Sequence, residues 1–196
     1  LSAYALDLGT QVPKDTTKLL CIGNSFTFFY SAPSLLKELA WNEGHYLDMS
    51  ASLKGGRTMA QHQTLAMTKD LINEGGFDYV FLQDQSMAAA KVGKDKKEHA
   101  QLIKDMAVLA EQVRAKSPGC KAVVECTWAY KGKNNGGFES FDAFYVYGKK
   151  GAKIMAKAVR KAKVSPISTA FEIARVERPD INLYHTDNHH QSMAGS

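Results

Sequence analysis

The chain is predicted to be an α/β protein, a parallel β-sheet covered by helices on both faces. Short apolar runs alternate with longer helical patterns from one end of the chain to the other, which is the signature of repeated β-α units. The runs "KLLCIG" (18–23) and "FDYVFLQ" (77–83) have the near-continuous hydrophobicity of strands buried on both sides. The chain has 196 residues, 44% of them hydrophobic, enough for one domain with a substantial core.

Each element has its own local reason. After the first strand, Pro33 suits a first helical turn, and Leu35, Leu36, Leu39 and Ala40 recur at helical spacing. "YLDMSAS" (46–52) alternates as a strand, and "TMAQHQTLAMTKDLINEGG" (58–76) reads as one helix closed by Gly75 and Gly76. Strand three (77–83) precedes a helix over 95–116 with Leu102, Met106, Leu109, Ala110 and Val113 on one face, ending at Pro118-Gly119. "CKAVVECTWAY" (120–130) is the fourth strand and its exit, and "KGKNNGGFESF" (131–141) a surface loop. A helix over 145–162 turns Ile154, Met155, Ala158 and Val159 inward. "KVSPIS" is a short fifth strand and "STAFEIARV" a short helix. No repeat or interdomain linker interrupts the series, so 1–196 is read as a single domain.

Composition removes several function classes. A net charge of +5 spread over amphipathic helices lacks the dense basic stripe of a nucleic-acid surface, so no nucleic-acid partner is expected. No apolar run approaches eighteen residues, so no membrane span is expected. Three cysteines do not suggest a disulfide framework. Cys120 and Cys126 would lie about 20 Å apart on one extended segment, too far to bridge. The chain begins with Leu1 rather than Met, as it would after removal of an export signal and equally if cut from a longer one. Export to the periplasm or outside the cell is the expectation, with the cytoplasm as the alternative.

In a parallel sheet, ligands gather at the carboxyl ends of the strands. Ser25 follows strand one there, as do Gly55-Gly56, Gln83 to Ser86, and Trp128. Alone, a serine after a strand is more often a helix cap than a nucleophile. "LYHTDNHHQS" (183–192) changes the weight, because Asp187 and His190 are three apart, as on one face of a helical turn. A carboxylate there can hold one imidazole nitrogen while the other faces a serine hydroxyl. The same stretch, through His185, Asp187, His189 and His190, also admits a metal reading, but an established zinc spacing is absent and no metal is expected. Asp84 and Glu125, near strand ends, are read as satisfied polar groups rather than site residues. His45, His62 and His99 are read as surface or structural.

These blocks, in this order, resemble the SGNH/GDSL-type serine hydrolase superfamily, most closely its bacterial branch with G-N-S-F-T in place of G-D-S. The resemblance covers nearly the whole chain. It implies a three-layer α/β/α sandwich with a flavodoxin-like parallel sheet, order 2-1-3-4-5. "IGNSFT" would supply the nucleophile Ser25, "KGGRT" an oxyanion N–H from Gly56, and "DNHHQS" the acid Asp187 and base His190. The third block of the family carries an asparagine; here "FLQDQS" has Gln85 at that position, one methylene longer. The backbone N–H of Ser25 would complete the oxyanion hole. The family usually continues past the histidine block into a helix on the sheet, whereas this sequence ends at Ser196, so either that helix is lacking or another segment covers the face.

The resemblance implies cleavage of acyl esters through an acyl-enzyme, without metal or organic cofactor. The expected substrate is a small-molecule or carbohydrate acyl ester, with Asn24, Trp128 and Tyr130 as candidate substrate contacts. Acyl transfer on the same fold is one alternative. The other is a non-catalytic module binding a phosphate ligand at the Gly23-Asn24-Ser25 turn.

Overall fold

The computed structural model describes residues 15–132, 135–160 and 162–196. Five parallel strands, β1 (Thr17–Gly23), β2 (Leu47–Leu53), β3 (Tyr79–Leu82), β4 (Lys121–Glu125) and β5 (Lys163–Ser165), form one sheet in the order β2-β1-β3-β4-β5. This is the predicted flavodoxin-like order. The register pairs Ile22 with Ser52 on one side and with Leu82 on the other, so β1 is central and its end opens onto both neighbours.

Successive strand residues point to opposite faces. On one face Leu20, Ile22, Val80, Leu82, Ala122 and Val124 are sealed beneath α6 (Ala100–Lys116) and α7 (Phe141–Ala158), which contribute Met106, Leu109, Val113, Ala152 and Met155. Helix α7 starts four residues before the predicted 145, because Ser140 caps it by accepting from Ala143 N. Part of the expected 131–141 loop and the last residues of the expected 145–162 helix fall on 133, 134 and 161, outside the described residues.

One predicted helix comes out differently. The stretch 58–76 is split into α3 (Met59–His62) and α4 (Ala66–Glu74), with Leu65 extended between them. The break folds Thr68 back onto His62: the ring donates to Gly23 O at 3.0 Å and accepts from Thr68 Oγ1 at 2.9 Å, and Thr68 in turn meets Ser52 at 2.7 Å. Since a carbonyl only accepts, Nε2 must carry the proton. Burial lowers the His62 pKa, which keeps the ring in this neutral form. His62 is therefore a structural residue of the β1 end.

Helix α5 (Ala88–Lys94) lies between the third strand and the 95–116 helix, where the sequence had suggested no element. It crosses α7 at backbone contact. A Cβ on Gly151 would lie 1.7 Å from Ala89 O, and one on Gly93 would lie 1.9 Å from Tyr147 O. The glycines of "KVGK" and "KKGAK" are the trace of this crossing in the sequence.

The opposite face is flanked by α2 (Ala32–Asn42) and the start of α8 (Ile167–Glu177). The leucines that recur at helical spacing in α2 are not in the core: Leu35, Leu36 and Leu39 are exposed, Leu39 at 65%. With Cys21, Met49 and Phe81 they line an open groove of about 310 Å³, and Gly195 and Ser196 stand at its rim. Among the described residues no further element covers it. All three cysteines are free and buried, and no described helix is long and apolar enough to cross a membrane.

Candidate active site

Helix α1 (Ser25–Phe28) begins directly after β1, and its N-cap is Asn24, not Ser25. Asn24 Oδ1 accepts from Phe26 N at 3.2 Å, which leaves Ser25 as the first helical residue with its hydroxyl uncommitted to capping. That hydroxyl lies 2.6 Å from His190 Nε2, and His190 Nδ1 lies 2.7 Å from Asp187 Oδ2. The three side chains thus stand in one hydrogen-bonded line, although 165 positions separate Ser25 from His190.

The turn that carries Asp187 and His190 is not helical, as the spacing had suggested. Tyr184 and Gln191 form an antiparallel bridge, His185 N donates to His190 O at 2.9 Å, and Asn188 takes φ +63° to close the loop between them. The Asp187 carboxylate also caps this loop, accepting from His189 N at 3.0 Å and from His190 N at 2.9 Å. Burial pushes its pKa up, but these N–H groups and the His190 ring outweigh that, and Asp187 is held well below the usual carboxylate range. It is ionised at neutral pH. For His190, burial is the larger influence and lowers its pKa against the opposing pull of Asp187. The imidazole is therefore largely neutral at pH 7, the form a base requires.

Aromatic rings hold the base in place. His190 stacks on Phe29 at 4.1 Å and 16°, with Phe26 tilted against it at 4.7 Å. Phe29 reaches it because Tyr30 and Ser31 both take left-handed φ, +51° and +57°, turning the chain sharply after α1. Gln191 ties the two halves together, its buried amide donating to Phe26 O at 3.1 Å. Neither Phe29 nor Gln191 stood out in the sequence. Their only signal was position, four residues after the serine and one after the histidine.

The other candidates are placed as follows. Gly56 sits at φ +70° in the turn after β2, where Arg57 N donates to Lys54 O. Gln85 is half-buried after β3; its side-chain carbonyl accepts from Met87 N at 3.0 Å, and its amide nitrogen is 3.4 Å from Ser86 Oγ. Trp128 is only 3% exposed, stacked on Phe171 at 4.7 Å, with Nε1 donating to His189 O at 2.9 Å. It supports the histidine loop from beneath and presents no face for a sugar, which corrects its reading as a substrate contact. Asn24, buried with every polar atom of its amide engaged, is corrected in the same way. Tyr130 is half-buried, its hydroxyl paired with Ser86, and its ring lies 5.3 Å from His189.

Asp84 and Glu125 are both buried. Asp84 Oδ1 accepts from Met59 N at 3.0 Å and Gln85 N at 2.7 Å; burial pushes its pKa up to about 6. Its Oδ2 has no hydrogen-bond partner among the described residues. Burial raises Glu125 to about 8, so it is mainly neutral at pH 7, 3.5 Å from the Thr27 hydroxyl. Asp187, His189 and His190 bring possible metal-ligand atoms within 4.8 Å of one another. The short bonds from His190 to Asp187 and to Ser25 already use both of its ring nitrogens.

No protein-family model matches the chain, and no curated protein does. Solved structures do. A DUF4886 family protein from Bacteroides uniformis is 21% identical, with 91% of this chain and 77% of that one covered and a TM-score of 0.74. A GDSL-like lipase candidate from Parabacteroides merdae is 15% identical over 94% and 91% of the two chains, TM-score 0.65. Axe2, an acetylxylan esterase from Geobacillus stearothermophilus, is 16% identical over 93% and 91%, TM-score 0.64. The fold is that of the SGNH/GDSL hydrolases.

Proposed function

We propose that the protein is a serine hydrolase that cleaves acyl esters through an acyl-enzyme. The observation that carries this reading is the unbroken line Asp187–His190–Ser25, with hydrogen bonds of 2.7 and 2.6 Å at the carboxyl end of the central strand. His190 Nε2 takes the Ser25 proton as Oγ attacks the ester carbonyl, while Asp187 fixes the tautomer and stabilises the imidazolium. The same proton then passes to the leaving alcohol, and His190 next activates the water that releases the acid. Backbone N–H groups of Ser25 and Gly56 and the amide of Gln85 are the proposed oxyanion donors. Loss of one such donor costs about 3 kcal/mol of transition-state stabilisation.

The SGNH/GDSL fold supports an ester rather than an amide substrate. Its presence in an acetylxylan esterase supports a short acyl group on a carbohydrate. The engaged Ser25 hydroxyl favours a nucleophile over a phosphate-binding turn. A fluorophosphonate probe tests the reading. Labelling is expected on the peptide containing Ser25 and not in a Ser25→Ala variant; an unlabelled wild-type protein, or a label that survives the substitution, would overturn it.

Gln85 gives a separate expectation. Its carbonyl is pinned by Met87 N, which directs the amide end. Gln85→Ala should lower kcat about a hundredfold and change KM less, because the bond is strongest in the transition state. Gln85→Asn should restore little, since its amide is about 1.5 Å short and hydrogen bonds tolerate only a few tenths of an ångström. Wild-type kcat in Gln85→Ala would leave the backbone donors alone in this role.

A further inference from the structure

We infer that Asn24 is a positioning residue that joins the three loops of the site, and that this junction requires an amide where G-D-S sequences carry a carboxylate. The inference rests on the hydrolase reading for its kinetic consequences, but its structural basis is independent. Asn24 is 2% exposed and lies between the loops that follow β1, β2 and β3. Its Nδ2 donates to Arg57 O at 3.0 Å, in the turn that bears Gly56, and to Asp84 O at 3.3 Å, next to Gln85. Its Oδ1 accepts from Phe26 N and so sets the first turn of the helix that carries Ser25. Its own N–H donates to Gln83 Oε1 at 2.8 Å. One side chain therefore touches the segments bearing all three proposed oxyanion donors, while touching no reacting atom itself.

The orientation of the amide follows from its partners. Two carbonyl oxygens can only accept and one backbone N–H can only donate, so the nitrogen and oxygen have one consistent assignment. Aspartate could keep the bond to Phe26 N. Its second oxygen, however, would meet two carbonyl oxygens at about 3 Å with no proton to offer, which in a buried site costs the full desolvation of unpaired groups. The variant could relieve this by moving the loops apart or by holding a proton, and a protonated carboxyl can serve only one of the two carbonyls.

The titratable and charged groups around the junction are Asp84 from the loop after β3, Arg57 from the loop after β2, and His62 of α3, bound to Gly23 O. Glu125 of β4 lies beyond Thr27, and His190 beyond Ser25. The contact of Asn24 with Asp84 is to its backbone carbonyl, while Asp84 Oδ1 accepts from Met59 N and Gln85 N. A carboxylate at position 24 would thus be desolvated against carbonyl oxygens, and its pKa in the folded protein would rise above the unfolded value of about 3.9. With a raised folded pKa the native state binds the extra proton, so the defect is greatest above that pKa and shrinks as pH falls.

The test compares Asn24→Asp and Asn24→Ala with wild type, measuring kcat, KM and melting temperature from about pH 5.5 to pH 8. For Asn24→Asp at pH 8, kcat is expected to fall about a hundredfold with KM little changed, the size of one misplaced oxyanion donor. The ratio of variant to wild-type kcat should then recover by roughly tenfold on acidification, as the carboxyl takes up its proton. Asn24→Ala should lose kcat with a ratio that does not depend on pH. Wild-type kcat in Asn24→Asp at pH 8, or a pH-independent ratio, would overturn the inference. If Asn24→Asp is too unstable to assay, or the wild type cleaves no ester, melting temperature decides: its deficit must narrow on acidification, and a constant deficit would overturn the inference.

Discussion

Ser25→Ala is expected to remove nearly all ester hydrolysis while leaving the fold intact. The side chain makes one polar contact, with His190 Nε2, and the cap of α1 belongs to Asn24. Helix start, strand end and core therefore lose nothing when the hydroxyl goes, and the melting temperature should move by no more than a degree or two. The kinetic loss should be large, because the nearest hydroxyl in sequence, that of Thr27, faces Glu125, which burial keeps mainly neutral at pH 7. The Thr27 hydroxyl donates to Gln83 Oε1 at 3.0 Å. In serine hydrolases, removing the nucleophile costs about as much as removing the whole triad, roughly a millionfold, with some residual catalysis from oxyanion donors and binding. A loss of at least about ten thousandfold in kcat for an activated short-chain ester is the expected result. A clean Ser25→Ala preparation that kept more than a few per cent of the wild-type rate would remove Ser25 from the mechanism.

The second large effect concerns the base. His190→Ala should reduce kcat by a similar order, and the Ser25→Ala/His190→Ala double variant should be no slower than either single one, since the residues act as a unit. The wild-type rate of acylation should rise with pH and level off as His190 becomes neutral. Because burial lowers the His190 pKa below its ordinary value, the midpoint of the rise should lie below about pH 6.5, with the falling limb on its acid side. His190→Ala should abolish this titration. His189→Ala should preserve it, because Asp187 is held by the His189 backbone N–H rather than by its ring alone. An essential His189 with a dispensable His190 would shift the D-x-x-H assignment by one residue. Asp187→Asn should leave the turn in place, yet cost up to about ten thousandfold by presenting the wrong tautomer of His190.

Much of the architecture was legible because parallel strands and their helices leave strong one-dimensional traces. "KLLCIG", "FDYVFLQ" and "CKAVVECTWAY" read as apolar runs; β3 and β4 fall within them, and β1 starts one residue earlier, at Thr17. What escaped were features whose cause lies elsewhere in the chain. The 58–76 pattern is helical throughout, but it breaks so that His62 can reach Gly23 O, thirty-nine positions away. Helix α5 is seven residues long and held by backbone contact with α7, so its small residues carry no amphipathic pattern that would announce a helix. Leu35, Leu36 and Leu39 do form one face of a helix, but the periodicity that reveals such a face says nothing about what lies opposite it. Here it is an open groove.

For the site the division is similar. Sequence alone determined the chemical types and their order: a serine after the central strand, a glycine turn after the second, an amide after the third, and an Asp-His pair near the end. Those are local facts, set by strand ends and short spacings. Only the tertiary structure decided which atoms meet. It gave the capping role to Asn24 rather than Ser25, turned Trp128 into support for the histidine loop, and seated His190 between Phe26 and Phe29. The reason is that hydrogen-bond partners and stacking depend on distances between segments far apart in the chain. A position's residue type limits what it can donate, accept or cover, but the packing of the other segments selects which of these it does.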